Sequence, residues 1–175
     1  MNVELGAGAR AAPGHIAVDV NPRTADVVAD ALRLPFRDGT VTGLRAVDVL
    51  EHITYRQTAE ALREWARVCA VGVRVYVQVL DVDRIMCWYA EGDPRLEVWE
   101  RGQSCTPLQG AQWRLLGGHG DGRYVTDTDD WRWNAHFSLW SRQSLQMAMR
   151  HAGFLVDSIT TNQHPNLLCD ARRAL

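Results

Sequence analysis

The residues of this sequence that could do chemistry stand where short apolar runs end. Gly6-Ala7-Gly8 follows the first run, Asp19 ends the second, Asp30 follows the third, and Glu51-His52 follows the fourth. Glycine lets a backbone approach a ligand without a Cβ in the way, and a carboxylate can accept hydrogen bonds from two vicinal hydroxyls. Because ligands of open α/β sheets bind beyond the carboxyl ends of the strands, the pattern predicts a site for a ribose-containing ligand.

The apolar runs that position these residues are typical of strands. Uninterrupted apolar sequence of this kind favours strands that are buried on both faces of a parallel sheet. The predicted strands are Val3–Leu5, Ile16–Val20, Val27–Ala29, Leu44–Leu50 and Val73–Leu80. From Tyr55 to Cys69 the apolar residues instead recur with helical spacing, and Gly72 is placed to end that helix.

The last third of the chain predicts a helix and a hairpin. Ser141 is a plausible N-cap for a helix that runs to Ala152, and the runs Phe154–Thr161 and Leu167–Ala171 follow as two strands. We therefore expect an α/β fold over residues 1–175, with a Rossmann-like, mostly parallel sheet and an antiparallel C-terminal hairpin at its edge. An aromatic-rich insert at about residues 84–140, where the regular patterns fade, interrupts it.

The first strands are joined by connections that are too short for the usual crossover. Parallel strands need a connection of about a dozen residues or more, which is usually helical, yet little sequence separates Gly8 from Asp19 or Asp19 from Asp26. The sequence therefore predicts reduced crossovers and thin cover on one sheet face. A second copy of the chain could supply that cover, so a homodimer is a possible assembly.

Two further motifs distinguish the ligand class. A dinucleotide fingerprint needs a third glycine, but Ala11 stands at that position. The stretch from Asp30 to Phe36 reads D-A-L-R-L-P-F, and Val49-Leu50-Glu51-His52-Ile53 follows. This ordered set resembles the class I S-adenosylmethionine-dependent methyltransferases over about the first 80 residues. The resemblance implies a Rossmann-like fold, S-adenosyl-L-methionine as the cofactor and methyl transfer as the activity. The missing third glycine disfavours NAD.

The resemblance also assigns cofactor roles to particular residues. It implies a loop under the methionine part of the cofactor, an acidic group for the ribose hydroxyls, a contact with the adenine and an apolar side chain closing over the methionine end. The implied cofactor-binding residues are Glu4, Gly6, Ala7, Gly8, Asp19, Val20, Asp30, Ala31, Leu32 and Leu50.

On the acceptor side, the sequence offers two histidines and three acids. His52 could take a proton from a hydroxyl or amine, or it could only line the cavity or hold a loop. His136, which precedes the last helix, is a second candidate catalytic residue on the substrate side. Glu51, Asp81 and Asp83 are predicted to line the acceptor site. We expect no metal ion, and we interpret the segment with Asp127, Asp129 and Asp130 as a solvated acidic loop.

Tryptophan is concentrated in the insert. Its rings could form platforms for sugar rings, for planar ligands or for a subunit interface, or they could anchor an irregular segment to the core. Six of the seven tryptophans lie there: Trp88, Trp99, Trp113, Trp131, Trp133 and Trp140.

Composition excludes several other classes of protein. The formal net charge is −2, which is a poor match for nucleic acid. All 19 basic residues are arginine, so Schiff-base chemistry and a lysine P-loop are excluded. No apolar stretch is long enough to span a membrane, and the beginning of the chain carries no secretory signal. The four scattered cysteines are typical of reduced thiols, so we expect a cytoplasmic protein.

Two functions follow from these residues. The first is methyl transfer from S-adenosyl-L-methionine to a small-molecule acceptor, such as a sugar or a secondary metabolite. The alternative is a non-catalytic Rossmann-like module that binds the nucleoside or a partner protein without turnover.

Overall fold

The computed structural model describes residues 1–8, 11–97, 104–117 and 135–175 of the chain. The interpretation of residues 127–130 as a solvated loop, and the roles considered for Trp99, Trp131 and Trp133, lie outside the described residues.

The described residues form one mixed sheet. Its strands are β1 (Asn2–Leu5), β2 (Ile16–Asp19), β3 (Val27–Val28), β4 (Gly43–Val47), β5 (Arg74–Leu80), β6 (Phe154–Thr161) and β7 (Asn166–Arg173). They lie in the order β3-β2-β1-β4-β5-β7-β6. The first five are parallel, and β7 pairs antiparallel with both β5 and β6. The predicted mostly parallel sheet with an antiparallel hairpin edge is confirmed.

Four helices follow β4 in the described part of the chain. They are α1 (Thr58–Val68), α2 (Val82–Glu91), α3 (Pro107–Leu116) and α4 (Arg142–His151). The predicted N-cap of the last helix is confirmed, because Ser141 forms a capping box with Ser144. The insert is more regular than its sequence suggests, since it contains α2 and α3.

The prediction of a fourth strand that reaches Leu50 is wrong at its end. Strand β4 stops at Val47, and Leu50–His52 forms a short 3-10 helix, called the 50–52 turn below. The chain bends at Asp48, whose φ is 54°. Aspartate tolerates this left-handed conformation better than most residues do.

The main core lies between one sheet face and the helices α1 and α4. Trp65 of α1 and Met149 of α4 are fully buried in the same cluster as Val3, Leu44 and Val75. These three strand residues are neighbours in the register of β1, β4 and β5. Side chains alternate between faces along a strand, so this register defines one apolar face of the sheet.

The opposite face is polar. Glu4, Arg45, Tyr76 and Asp170 form a row across β1, β4, β5 and β7, and we call this surface the polar face. Buried and partly exposed residues alternate along β5. The expectation of strands buried on both faces is therefore wrong. Every second residue of β4 and β5 points to the polar face and is partly or fully exposed.

The connections between the first strands are as short as predicted. The described residues form no helix between β1 and β2, between β2 and β3, or between β3 and β4. Turns and side-chain hydrogen bonds must therefore shape the segments that leave the carboxyl ends of these strands.

Two tryptophans of the insert act as packing groups. Trp88 and Trp140 are 5% and 6% exposed, which fits the anchoring interpretation for these two rings. None of the four cysteines forms a disulfide, and burial raises the pKa of the Cys69 and Cys169 thiols to about 12. No helix among the described residues is long and apolar enough to cross a membrane.

Candidate active site

The glycine loop, by which we mean the described residues 6–8 and 11–15, follows the carboxyl end of β1. Gly6 has a φ of 59°, and a Cβ there would lie 2.6 Å from Cγ2 of Val49. Gly8 also has a positive φ, 52°, but a Cβ at that position would meet nothing within 4 Å. Gly6 is therefore required by close packing against the segment after β4, whereas Gly8 borders open space that a ligand can enter. Ala7 lies between them.

Asp19, at the end of β2, faces this loop. Its Oδ2 accepts a hydrogen bond of 2.9 Å from the backbone N–H of Gly8, and its Oδ1 accepts one of 2.9 Å from Asn21 N–H. A carboxylate has about four lone-pair positions, so both oxygens keep capacity for further donors. The structure thus brings the predicted ribose acceptor and the predicted glycine loop into direct contact, with Val20 next to them in sequence.

Glu4 lies on the polar face of β1, beneath the far side of the glycine loop. Its Oε2 accepts a hydrogen bond of 2.5 Å from Ala12 N–H, and its Oε1 is 2.9 Å from Nε of Arg45. The residue is 7% exposed. In this structure Glu4 therefore holds the loop, which is a role the sequence does not suggest.

The connection after β3 forms the next part of the site. Asp30 Oδ1 accepts a hydrogen bond of 2.9 Å from Leu32 N–H, which shapes a tight turn around Ala31. The indole N–H of Trp65 donates to the carbonyl of Ala31 over 2.9 Å. Leu34 N–H donates to Oε1 of Glu64 over 2.8 Å. Side chains of α1 therefore fix the segment that contains the predicted adenine contacts.

The 50–52 turn follows the bend at Asp48. Leu50 is fully buried, and Glu51 is 2% exposed. Burial, and secondarily the negative charge of Asp48, raise the pKa of Glu51 to about 8, although backbone N–H groups of Glu51 and Leu80 oppose the shift. Within the described residues, Oε2 of Glu51 has no hydrogen-bond partner. Glu51 is therefore largely a neutral acid at pH 7.

Residues Ala135–Trp140, which we call the 135–140 segment, are hydrogen-bonded to this turn. The carbonyl of Glu51 accepts hydrogen bonds from Phe137 N–H at 2.6 Å and Ser138 N–H at 3.2 Å. The hydroxyl of Ser138 donates to the carbonyl of Leu50 over 2.8 Å. His136 N–H donates to the carbonyl of Leu116, so the end of α3 is attached as well.

This arrangement brings the two candidate histidines together. Their ring centroids are 5.0 Å apart, in an edge-to-face arrangement. Nδ1 of His52 lies 3.0 Å from the carbonyl oxygen of Ala135. Because a carbonyl can only accept a hydrogen bond, Nδ1 of His52 is the donor in this contact.

The two acids after β5 occupy different positions. Asp81 is 6% exposed and caps α2 by accepting a hydrogen bond of 3.2 Å from Arg84 N–H. Asp83 is exposed on the first turn of the same helix. The carbonyl of Trp140 accepts a hydrogen bond from Val82 N–H, so the start of α2 adjoins the 135–140 segment.

Three residues that the sequence did not single out support the site. Arg45 holds Glu4, Trp65 holds the turn around Ala31, and Ser138 bonds to the 50–52 turn. The first carries a visible signal, because Arg45 places a charge inside an apolar run. No cluster of three or more His, Cys, Asp or Glu side chains that could hold a metal ion occurs in the described ranges.

A family model described as a methyltransferase domain matches residues 6–77 of the chain. The matched region includes the glycine loop, Asp19, Asp30 and the 50–52 turn. No curated protein sequence matches the chain.

Solved structures share the fold at low sequence identity. An S-adenosylmethionine-dependent methyltransferase from Mesorhizobium loti is 12% identical, with a TM-score of 0.59, and the match covers 98% of this chain and 89% of that one. One from Methanosarcina mazei is 12% identical, with a TM-score of 0.62 and coverage of 99% and 92%. A chain from the complex of the Haloferax volcanii Trm112 methyltransferase activator is 14% identical, with a TM-score of 0.61 and coverage of 99% and 81%.

Residues 6–77 match the model of a methyltransferase domain, and the described sheet has the fold of these solved methyltransferase structures. S-adenosyl-L-methionine is the cofactor that such a domain implies. The open space at Gly8 and the acceptor capacity of Asp19 fit that group.

Proposed function

We propose that the protein transfers a methyl group from S-adenosyl-L-methionine to a small-molecule acceptor. The observation that carries the proposal is the contact between Gly8 and Asp19, because it joins an open backbone position to a carboxylate with spare acceptor capacity. In this proposal Asp19 and Val20 lie at the ribose, Asp30, Ala31 and Leu32 lie at the adenine, and the glycine loop with Glu4 and Leu50 lies at the methionine end.

When bound, the cofactor supplies an activated methyl group on its sulfonium. The protein's task is then mainly to hold the acceptor atom in line with the methyl group. His52 and His136 are the proposed groups for holding or removing the acceptor proton, because they lie together beside the 50–52 turn. Glu51, Asp81 and Asp83 are the proposed lining of the acceptor side. The tryptophan content of residues 84–140 favours a sugar or a planar secondary metabolite.

Isothermal titration calorimetry tests the cofactor part of the proposal. We expect binding of S-adenosylmethionine and S-adenosylhomocysteine, and none of NAD. Asp19→Ala should weaken binding by about 1.5–3 kcal/mol, which is typical of lost hydrogen bonds to a charged group. Asp157→Ala, at an exposed position of β6, is the control and should bind normally. Heat with NAD alone would refute the cofactor assignment, and normal binding by Asp19→Ala would refute the ribose placement.

Histidine variants test the acceptor side. His52→Ala and His136→Ala should retain cofactor affinity and lose turnover, whereas His151→Ala, at an exposed position of α4, should behave like the wild type. A general base at His52 predicts a rate loss of about 10²–10⁴ and the loss of the pH-profile limb near neutrality. A loss of only a fewfold would make His52 a lining residue. Loss of cofactor affinity in His136→Ala would place this residue elsewhere.

The second candidate function is a module that binds the nucleoside or a partner protein without turnover. The described residues between the first strands form no helix, and this reduced fold favours the second candidate, because such a fold can retain a ligand site after losing activity. Cofactor binding without methyl transfer to any member of a panel of sugars, phenols and amines would support this second candidate.

We also propose that the protein is a homodimer and acts in the cytoplasm. The absence of a helix in the described connections between the first strands supports a partner copy at that side of the sheet. Four cysteines without a disulfide support a reducing compartment. Light scattering at micromolar concentration should give twice the mass of 19.7 kDa, and a monomer alone would exclude the dimer.

A further inference from the structure

The glycine loop has an unusual support. Its described residues form no helix, so helical hydrogen bonds do not stiffen these residues. Two side chains hold it instead. Asp19 binds the near side at Gly8 N–H, and Glu4 binds the far side at Ala12 N–H. The conformation of the loop therefore depends on where these two carboxylates are kept.

Glu4 cannot be kept in place by its strand alone. It is a carboxylate at 7% exposure, and burying a charge is costly unless it is paired and hydrogen-bonded. Its pairing group is Arg45, whose Nε lies 2.9 Å from Oε1. One carboxylate oxygen thus faces the arginine while the other accepts the loop's N–H, so the arginine sets the direction in which Glu4 points.

Arg45 is in turn fixed by the polar face. It stands beside Glu4 and Tyr76 in the strand register, and its guanidinium carbon is 4.7 Å from the centre of the Tyr76 ring. Such a cation–π contact restricts a side chain that would otherwise have many rotamers. The Arg45 guanidinium is therefore held in the position where it pairs with Glu4, and it has less freedom than the side chain of an ordinary surface arginine.

The same face connects to the second part of the site. The hydroxyl of Tyr76 lies 3.3 Å from Oε1 of Gln78, and Nε2 of Gln78 donates to Oδ1 of Asp48 over 3.1 Å. The backbone N–H of Asp48 also donates to the carbonyl of Gln78. A continuous series of contacts thus runs from the glycine loop to the bend that precedes the 50–52 turn.

We propose that Arg45 is a positioning residue of the cofactor site, which holds the glycine loop in its binding conformation through Glu4. It does not touch the cofactor. A side-chain network on the polar face thereby performs, for this loop, the stiffening that a helix provides elsewhere in the molecule. The inference rests on the proposed binding of S-adenosyl-L-methionine by the loop.

Calorimetry with S-adenosylhomocysteine tests this role in three full-length variants. Arg45→Ala should raise Kd about tenfold or more, a factor worth about 1.4 kcal/mol. Arg45→Lys keeps a donor for Glu4 but loses the planar guanidinium, so its Kd should be intermediate. Arg172→Ala is the matched control, because it removes an ion pair with Asp157 at the same sheet's outer edge, and its Kd should stay within twofold of the wild type.

Two further readouts separate positioning from general stability. In turnover with an identified acceptor, Arg45→Ala should raise KM for the cofactor while kcat at saturation stays near the wild-type value. In the folded Arg45→Lys variant, the amide of Ala12 should exchange with solvent faster, while amides of the core strand β5 keep their protection. The exchange measurement also applies if Arg45→Ala fails to fold.

The outcomes are distinguishable. If the wild type does not bind S-adenosylhomocysteine, the proposed function fails and this inference fails with it. The positioning role alone is overturned if the wild type binds but Arg45→Ala has the same affinity and the same Ala12 exchange rate as Arg172→Ala. If Arg45→Ala does not fold, the same comparison is made with Arg45→Lys.

Discussion

The segments that follow β1 and β3 form neighbouring parts of the same site but are supported in opposite ways. The segment after β3 rests on α1, where the fully buried Trp65 donates to the carbonyl of Ala31. The segment after β1 rests on Glu4 and Arg45, on the polar face. One support is packed in the core, and the other is a side-chain network whose arginine is 35% exposed.

This difference predicts how each support fails. A buried support couples the site to global stability, because removing it leaves a cavity and an unpaired polar group. On the polar face the arginine of the network is 35% exposed, so water and salt can screen the charge that Glu4 keeps when the arginine is removed. Substitutions on the helical side should therefore lower the free energy of unfolding more than substitutions on the polar face, which should mainly change the site.

The largest effect is expected at Trp65. Trp65→Ala should lower the free energy of unfolding by about 3–5 kcal/mol, because a fully buried indole is replaced by a cavity. Urea denaturation followed by circular dichroism measures the change. Tyr55→Ala, at a position that is 82% exposed, is the control and should change stability by less than about 0.5 kcal/mol. A loss below about 1 kcal/mol for Trp65→Ala would contradict a rigid core support.

The next effect concerns the buried acid of the 50–52 turn. The folded-state pKa of Glu51, about 8, is above its ordinary value of 4.5, so the folded state binds more protons than the unfolded state between these values. This residue's contribution is therefore most favourable below pH 4.5, falls as pH rises towards about 8, and is constant above that. The slope is at most about 1.4 kcal/mol per pH unit.

Urea denaturation from pH 5 to about pH 9 checks this dependence in the wild type, Glu51→Gln and Glu91→Gln. Glu51→Gln should remove most of the decline, because its neutral amide does not titrate. Glu91→Gln changes an exposed glutamate of α2 and should retain the wild-type slope. An equal slope in all three proteins would mean that Glu51 is solvated in the folded state.

The smallest effect separates Arg67, which supports the segment after β3, from Arg172, an exposed arginine that belongs to neither support. Arg67 of α1 binds Glu64 and the carbonyls of Leu34 and Phe36, so Arg67→Ala should lower stability by about 1–2 kcal/mol. Arg172→Ala removes an exposed pair and should leave the unfolding midpoint unchanged at physiological salt. The two midpoints are compared at low and high salt, and equal shifts would mean that Arg67 contributes no more to stability than an exposed ion pair does.

The sequence was sufficient where the signal is local. Apolar runs that end in glycine or acid predicted the first five strands and, except for β4, their carboxyl ends to within one residue, and Ser141 predicted the start of α4. Short spacing predicted that the connections between the first strands are reduced, and their described residues form no helix. Each of these features depends on residues within a few positions of one another, which is the range that periodicity and capping report.

The sequence was misleading where burial depends on a whole face. The runs around β4 and β5 are apolar enough to suggest strands buried on both faces, yet Arg45 and Tyr76 mark a polar surface. Whether one face of a strand is covered depends on which helices pack against that face. This is decided when the layers of the fold assemble, and the sequence of the strand alone does not show it.

By itself, the sequence determined the order of elements, the positions of Gly6, Gly8, Asp19 and Asp30 at strand ends, and the class of ligand that they suit. The tertiary structure alone decided the long-range pairs. Only folding brings His136 to 5.0 Å from His52, buries Glu51 enough to raise its pKa, and sets Arg45 against Glu4. Such contacts join residues distant in the chain, and their energies depend on solvent exclusion and register, which no local pattern records.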